Sequence, residues 1–419
     1  MTYDEALEYI HSISWTFCKP GLERITALCH ALGDPQKDLK FIHVAGTNGK
    51  GSFCSMLESI LRAAGYRTGM FTSPYIKSFN ERMMVSGQPI SNEALAELVT
   101  RIQPVADAMT DRPTEFELIT AIGFAYFKEC GCDVVILEAG MGGRLDSTNV
   151  IRNPLLSVIT GIALDHTAFL GDTVEKIAAE KAGIIKDGAP VLFGGNDASA
   201  AEVIKKTASQ RGSTYFAVDY DALQNVTSDL LGSRFDFADF TDMHIKLLGL
   251  YQPRNAAVVL SAVSLLQAQS LTVSEDAIRQ GLLEARWPAR FEILSHDPLV
   301  IFDGAHNPQG IDAAIESIGH YFGKEKVYIM TGVLRDKDYR YIAARLATVA
   351  ERAYVLTPEK PLALDGEEYA SILHSFGVSA AAYSSITDTY KTAIASAKKD
   401  GKPLLILGSL YTYEVIVNA

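Results

Sequence analysis

The chain has 419 residues, 48% hydrophobic and 21% charged, with 38 lysines and arginines against 50 acids for a formal net charge of −12. That length exceeds one ordinary core and predicts two domains of globular, not disordered, composition. The acidic excess argues against a general binder of nucleic acid or anionic membrane, leaving room for a local cationic pocket. Cys18, Cys29, Cys54, Cys130 and Cys132 form no paired CxxC sets, so zinc and disulfide frameworks are set aside and the thiols read as inert. The first residues, "MTYDEALEYIHSI", carry acids where a leader needs cations, and no apolar run reaches membrane-spanning length. A cytoplasmic monomer is the expectation.

In chain order, "DEALEYIHSI" and "GLERITALCHALG" predict helices. "KFIHVAG" reads as a strand that enters a glycine turn, and "SFCSMLESILRAAG" as a helix stopped at Gly65. "RTGMFTSP" is strand then turn; "SNEALAELVTRIQPVADAM" and "TEFELITAIGFAYFKECG" are helical. "CDVVILEAG" and "PLLSVITGIA" are nearly all-apolar strands, as expected where both sheet faces are covered. "TVEKIAAEKAGII" is a helix with Asp172 as its expected N-cap. "APVLFGG", "SAAEVIKKTASQRG" and the long "PRNAAVVLSAVSLLQAQ" continue the alternation. "EARWPARFEIL" breaks it at Pro288, and the strands "PLVIFDGAHNP", "KVYIMTGVL", "RAYVLTP" and "PLLILGSLY" follow with helices between them.

Repeated βα units predict parallel α/β sheets. The boundary falls near Arg286 to Arg290, giving domains 1–288 and 289–419.

"GTNGKGS" (46–52) is the first stretch with chemistry. A glycine turn between strand and helix converges backbone N–H groups and a helix N-terminus on an anion, and Lys50 adds a cation. The fit to G-x-x-x-x-G-K-[ST] is imperfect, because Val44 replaces the first glycine and Gly51 separates Lys50 from Ser52. A plain βα turn is the competing reading. Glu138 ends a strand where sheets of this type face their ligands, as a metal carboxylate or as a simple cap. His166 follows another strand, as a metal ligand or an ordinary polar histidine. Lys181, on a predicted helix, reads on its own as a solvated lysine. His11, His30 and His374 read as surface or satisfied core residues.

"GTNGKGS" resembles the variant phosphate loop of the folylpolyglutamate synthase and dihydrofolate synthase family, within the Mur ligase superfamily. "FTSPYIKSFNERMMVSGQPIS" (71–91), "EAGMGGRLDSTNV" (138–150), "LDHTAFLGDTVEKIAAEKAGIIK" (164–186), "RWPARFE" (286–292) and "DGAHNPQG" (303–310) are similar to that family in the same order.

The resemblance implies an N-terminal Mur ligase-like α/β domain with a mostly parallel sheet and a smaller Rossmann-like α/β domain. It implies ATP held by Gly46, Thr47, Asn48, Gly49, Lys50, Gly51 and Ser52. Asn255, Arg290, Asp303 and His306 would join them at the domain interface. It implies two Mg²⁺ ions on Ser73, Glu138 and His166, and a CO₂-carbamylated lysine at Lys181. Lys50, Lys181, Glu138 and His166 are then the catalytic set. The implied substrates are ATP, L-glutamate and a reduced folate.

"GGRLDSTN" resembles the bifunctional members that also take 7,8-dihydropteroate, with Asp146 on the pterin and Thr114 and Phe116 on the pteroate. Asp146 as a turn-forming residue and Phe116 as a core aromatic are the plain alternatives. A monofunctional folylpolyglutamate synthase is the nearest competitor. A cell-wall Mur ligase is disfavoured by Gly51 and the short region before the loop. A GTP switch is disfavoured by the absence of an Asn-Lys pair. A non-catalytic nucleotide-binding module is the last alternative.

Overall fold

The computed structural model of the chain describes residues 1–13 and 20–418; Cys18 lies outside them. The chain divides into two compact units. One comprises residues 1–224, 236–243 and 255–285; the other comprises 225–235, 244–254 and 286–419.

The first unit is built on an eight-stranded sheet. Its order is Gln88–Pro89, Met83–Val85, Thr68–Phe71, Val134–Glu138, Phe41–Ala45, Leu156–Ile159, Val191–Phe193 and Tyr215–Ala217. The six strands from Thr68–Phe71 onward run parallel, and the two edge strands are antiparallel. Phe41–Ala45 and Val134–Glu138 are buried at every position, so both faces are covered and a continuous apolar run is what the site demands. The chain passes from Phe41–Ala45 outward to Thr68–Phe71 on one side, and from Val134–Glu138 across to Leu156–Ile159 on the other. That reversal opens a crevice beyond the carboxyl ends of the three central strands.

The helix Lys50–Ala63 follows the glycine turn and buries residues 52 to 61. The helix Val174–Ala182 carries one correction. Its N-cap is Thr173, whose hydroxyl accepts from the Lys176 N–H; Asp172 instead pairs with the Lys176 ammonium at 2.7 Å. A threonine hydroxyl one residue closer to the first turn does the capping, leaving the aspartate in solvent.

The second unit holds a six-stranded sheet in the order Glu292–His296, Leu299–Asp303, Leu404–Leu407, Val327–Thr331, Ala350–Val355 and Ser379–Ala382. All pairs are parallel except the first. Phe291, Ile301, Ile329, Tyr369 and Leu405 lie in its core. A three-stranded sheet of Leu223–Asp229, Gly232–Phe237 and Phe240–Ile245 was not legible as βα units. No helix among the described residues is long and apolar enough to cross a membrane.

Candidate functional site

The glycine turn is held in shape by the strand beside it. Thr47 N–H donates to the Gly161 carbonyl (2.8 Å), and Thr160 Oγ1 donates to the Asn48 carbonyl (2.7 Å). Thr47 Oγ1 donates to the Ala163 carbonyl and accepts from the Ala163 N–H, both at 3.1 Å. These bonds occupy the outer edge of the turn and leave the start of Lys50–Ala63 facing the crevice, where helix N–H groups favour an anion. Gly46 sits at φ 155°, and a Cβ there would come within 2.0 Å of Thr160 Oγ1. Gly46→Ala is therefore expected to lower stability by roughly 2–4 kcal/mol, from overpacking and backbone strain together. Urea unfolding should show this, alongside weaker ATP binding by calorimetry.

Two lysines converge on one carbonyl. Lys50 Nζ donates to the Gly46 carbonyl (3.1 Å) and the Thr47 carbonyl (3.3 Å), and Lys181 Nζ donates to the same Gly46 carbonyl at 2.7 Å. Lys50 also stands 3.7 Å from Glu138 Oε1. Lys181 is 4% exposed, which corrects its reading as a solvated lysine. On its helix it shares a face with buried Ile177, Ala178 and Ala182, so the turn of the helix carries it inward. Burial, reinforced by the Lys50 charge, pulls its pKa down from 10.5 to about 7, against the partial support of Asp165, Asp146 and Glu138. Lys50 at the start of one helix, Lys181 on another and Glu138 at a strand end thus form one preassembled group around the Gly46 turn.

Glu138 is 3% exposed, and Val44 pairs with it across the parallel ladder. Phe71 pairs with Leu137, so Ser73 lies just past the neighbouring strand end. Ser73 Oγ is buried and has no hydrogen-bond partner among the described residues. An orphaned hydroxyl beside a buried carboxylate supplies hard oxygen donors of the kind Mg²⁺ takes, with water completing its shell. His166 is exposed at the start of the short helix Thr167–Leu170, in a left-handed conformation (φ 49°), with its N–H on Asp165 Oδ1 (2.8 Å). Among the described residues, no three His, Cys, Asp or Glu side chains are gathered as a metal cage.

The turn after Glu138 is stapled from within. Asp146 caps the 3₁₀ turn Ser147–Val150; its carboxylate accepts from the N–H groups of Met141 (2.9 Å) and Thr148 (3.0 Å) and from the Thr148 hydroxyl. Burial nonetheless raises its pKa above the ordinary 3.8. Asn149 Nδ2 donates to the carbonyls of Arg144 and Gly183, both at 3.0 Å. Gly143 packs so closely on the Val174–Ala182 helix that a Cβ would lie 2.9 Å from the Lys181 carbonyl, which explains that glycine of "GMGG" as close approach, while Gly142 takes a left-handed φ of 68°. Thr114 is the N-cap of Glu115–Glu129 through a capping box with Glu117. The half-buried Phe116 meets Phe71 edge-on at 6.1 Å and lies against Gly140.

Asn255, in the first unit, places Oδ1 2.8 Å from the position a Gly49 Cβ would take. In the second unit, Asp303 is 4% exposed and accepts from the Tyr251 hydroxyl (2.7 Å) and the N–H groups of Phe291 (2.9 Å) and Ala305 (2.8 Å). Burial raises the Asp303 pKa and the Arg290 charge opposes that rise. Arg290 is flanked by Ala289 (φ 57°) and Phe291 (φ 47°), both left-handed. Two such residues in a row of three are held by Glu292, on the Ala289 N–H (2.8 Å), and by Asp303. Strain retained around one arginine marks that arginine as positioned. His306 Nδ1 lies 2.9 Å from the Gly304 carbonyl.

The Mur ligase middle domain family matches residues 44–263, and the Mur ligase, glutamate ligase domain family matches residues 289–410. The dihydrofolate synthase/folylpolyglutamate synthase of Bacillus subtilis is 38% identical over 98% of this chain and 97% of its own length. The folylpolyglutamate synthase of Lacticaseibacillus casei is 37% identical with the same coverage of both chains. The structure of Escherichia coli FolC in complex with DHPP and ADP matches with a TM-score of 0.88 at 32% identity, covering 100% of this chain and 97% of that one.

The chain belongs to the folylpolyglutamate synthase and dihydrofolate synthase family. Within the family frame, sequence reading passed over several residues that shape the site. Thr160 braces the phosphate loop, Tyr251 fixes Asp303, and Thr148 and His43 lie behind Asp146. Only His43 left a trace in the sequence, as the one polar residue inside the run "FIHVA".

Proposed function

We propose that the protein joins L-glutamate to folates at the expense of ATP, extending tetrahydrofolate with γ-linked glutamate and also converting 7,8-dihydropteroate to dihydrofolate. The observation that carries the reading is the convergence of Lys50 and Lys181 on the Gly46 carbonyl beside Glu138, at the mouth of the phosphate loop.

In the reaction, a carboxylate oxygen of the folate attacks the γ-phosphorus, the bond to ADP breaks, and an acyl phosphate forms. The amine of glutamate then attacks the acyl carbon, loses a proton, and inorganic phosphate leaves. Lys50 neutralises charge on the transferring phosphoryl group, and the loop N–H groups from Gly46 to Ser52 hold the phosphates in line. Mg²⁺ bound at Ser73 and Glu138, with a second ion toward His166, would screen the triphosphate from the attacking carboxylate. Asn255, Arg290, Asp303 and His306 are assigned to ATP on the family pattern, Arg290 as a phosphate fork. Thr114, Phe116 and Asp146 are assigned to the pteroate end.

Lys181 is assigned as a carbamate. Its amine attacks CO₂ and releases a proton, which requires the neutral form that a pKa of about 7 supplies. Carbamylation would turn the second cation into an anion near the metal. We place the enzyme in the cytoplasm as a monomer acting on small molecules.

A monofunctional polyglutamylating enzyme is the second reading, favoured by the Asp146 carboxylate being engaged by its own turn. The deciding experiment is phosphate release with Mg-ATP and L-glutamate, adding tetrahydrofolate, dihydropteroate or neither. Release with both acceptors is expected. Tetrahydrofolate alone would leave the second reading; neither, in folded protein that binds ATP, would overturn the folate assignment.

A further inference from the structure

His43 is fully buried in the centre of the Phe41–Ala45 strand, where the neighbouring positions are all apolar. An imidazole in such a place is destabilising unless it is hydrogen-bonded. Its Nε2 lies 2.9 Å from Thr148 Oγ1, and Thr148 is itself fully buried. The Thr148 hydroxyl in turn bonds Asp146 Oδ1, the oxygen that also accepts the Thr148 N–H at 3.0 Å.

The direction of this chain follows from proton counting. An ionised carboxylate only accepts, so the single Thr148 hydroxyl proton goes to Asp146, and the hydroxyl oxygen must receive a proton from His43. That places the imidazole proton on Nε2. Nδ1 is then bare, and it has no hydrogen-bond partner among the described residues. Burial, with a smaller contribution from the Lys186 charge, lowers the His43 pKa to about 3, so the ring stays neutral and the order holds wherever Asp146 is ionised.

An apolar side chain of similar volume would fill this core site and strand no nitrogen. Packing alone therefore does not call for histidine. A residue that breaks the apolar pattern, with one nitrogen unmet, is explained by what its other nitrogen holds.

We infer that His43 is a positioning residue for recognition of the folate acceptor: through Thr148 it fixes the Asp146 carboxylate and with it the 140–150 turn. The inference rests on the assignment of Asp146 to the pteroate end. The strand that delivers the phosphate loop thus also anchors the acceptor turn from behind. The phosphate loop itself is braced by Thr160 and Ala163, so loss of His43 acts on the acceptor and spares ATP.

The test uses phosphate release with saturating glutamate, together with deuterium exchange of the peptide spanning 139–150, in His43→Leu, His43→Gln, Thr148→Val and Asp146→Ala. His43→Leu is expected to raise the acceptor KM about tenfold while the ATP KM stays within about twofold, and to speed exchange of that peptide. His43→Gln, whose amide N–H reaches the Nε2 position, restores both. Thr148→Val reproduces the loss, and the double variant His43→Leu/Thr148→Val adds nothing further, which keeps the test open if one variant folds poorly. Should Asp146→Ala raise the acceptor KM while His43→Leu leaves both KM and exchange unchanged, the positioning role is overturned and the Asp146 assignment stands. If Asp146→Ala leaves the acceptor KM unchanged, the Asp146 assignment falls and the inference with it.

Discussion

Lys50→Met is expected to lower kcat by about 10²–10³-fold, roughly 3–4 kcal/mol of transition-state stabilisation, which is the usual effect of removing one preorganised charge from a phosphoryl-transfer site. The geometry makes the lysine available for this. It is the first residue of the Lys50–Ala63 helix, 15% exposed at its side chain, and its present partners are two carbonyls and the Glu138 carboxylate 3.7 Å away. A triphosphate entering the turn offers it stronger anionic partners than either carbonyl. Because the methionine is close to isosteric along the stem and the helix is capped at Gly49, one residue before the substitution, the fold should persist. Single-turnover acyl phosphate formation would measure the loss directly. An unchanged rate in the folded variant would remove Lys50 from the chemistry and favour a non-catalytic module.

Lys181→Met separates function from stability. The amine is deeply buried, beside the Lys50 charge, and its folded pKa of about 7 is below the ordinary 10.5 of an unfolded chain. Between those values the unfolded chain binds more protons, so stability rises with pH from about 7 to 10.5; below 7 both states are protonated and the full penalty of burying the charge is present. The methionine variant has no such charge to bury. It is expected to melt at higher temperature than the parent near pH 6, with the gap closing towards pH 10, measured without nucleotide and in CO₂-depleted buffer. Activity should move the other way, with kcat lower by about 10²-fold from loss of the carbamate near the metal. Carbon-13 bicarbonate should give a carbamate resonance in the parent that the variant lacks. A parent without that resonance, or a variant with parental kcat, would overturn the carbamate assignment.

The same lysine shows where sequence reading ran short. Charge alone made Lys181 a surface residue, yet Ile177 and Ala178 lie four and three positions before it on the stripe that the helix buries. Periodicity held the signal, and composition hid it. Asp172 failed as a cap for a local reason, because Thr173 offers a hydroxyl one residue nearer the first turn. The three-stranded sheet went unread because a search for βα alternation passes over short antiparallel strands. The alternation in "SRFDF", with Phe235 and Phe237 buried, was its trace. For Asp146 and Phe116, the plain readings and the recognition readings coexist in the structure. The carboxylate caps its own turn, and the ring packs on Phe71 and Gly140.

By itself the sequence determined the parallel α/β class, the phosphate turn with its lysine, and the family. Each is carried by local order, in strand, glycine and helix periodicity and in motifs that lie contiguously along the chain. Tertiary structure decided what joins across the chain. Lys181 meets Gly46 from 135 residues away. Thr160 braces Asn48 across 112 residues, and His43 reaches Thr148 across 105. Such contacts depend on strand order and on which helix face turns inward. Those are set by the summed burial of many side chains, and no short stretch of sequence contains that sum.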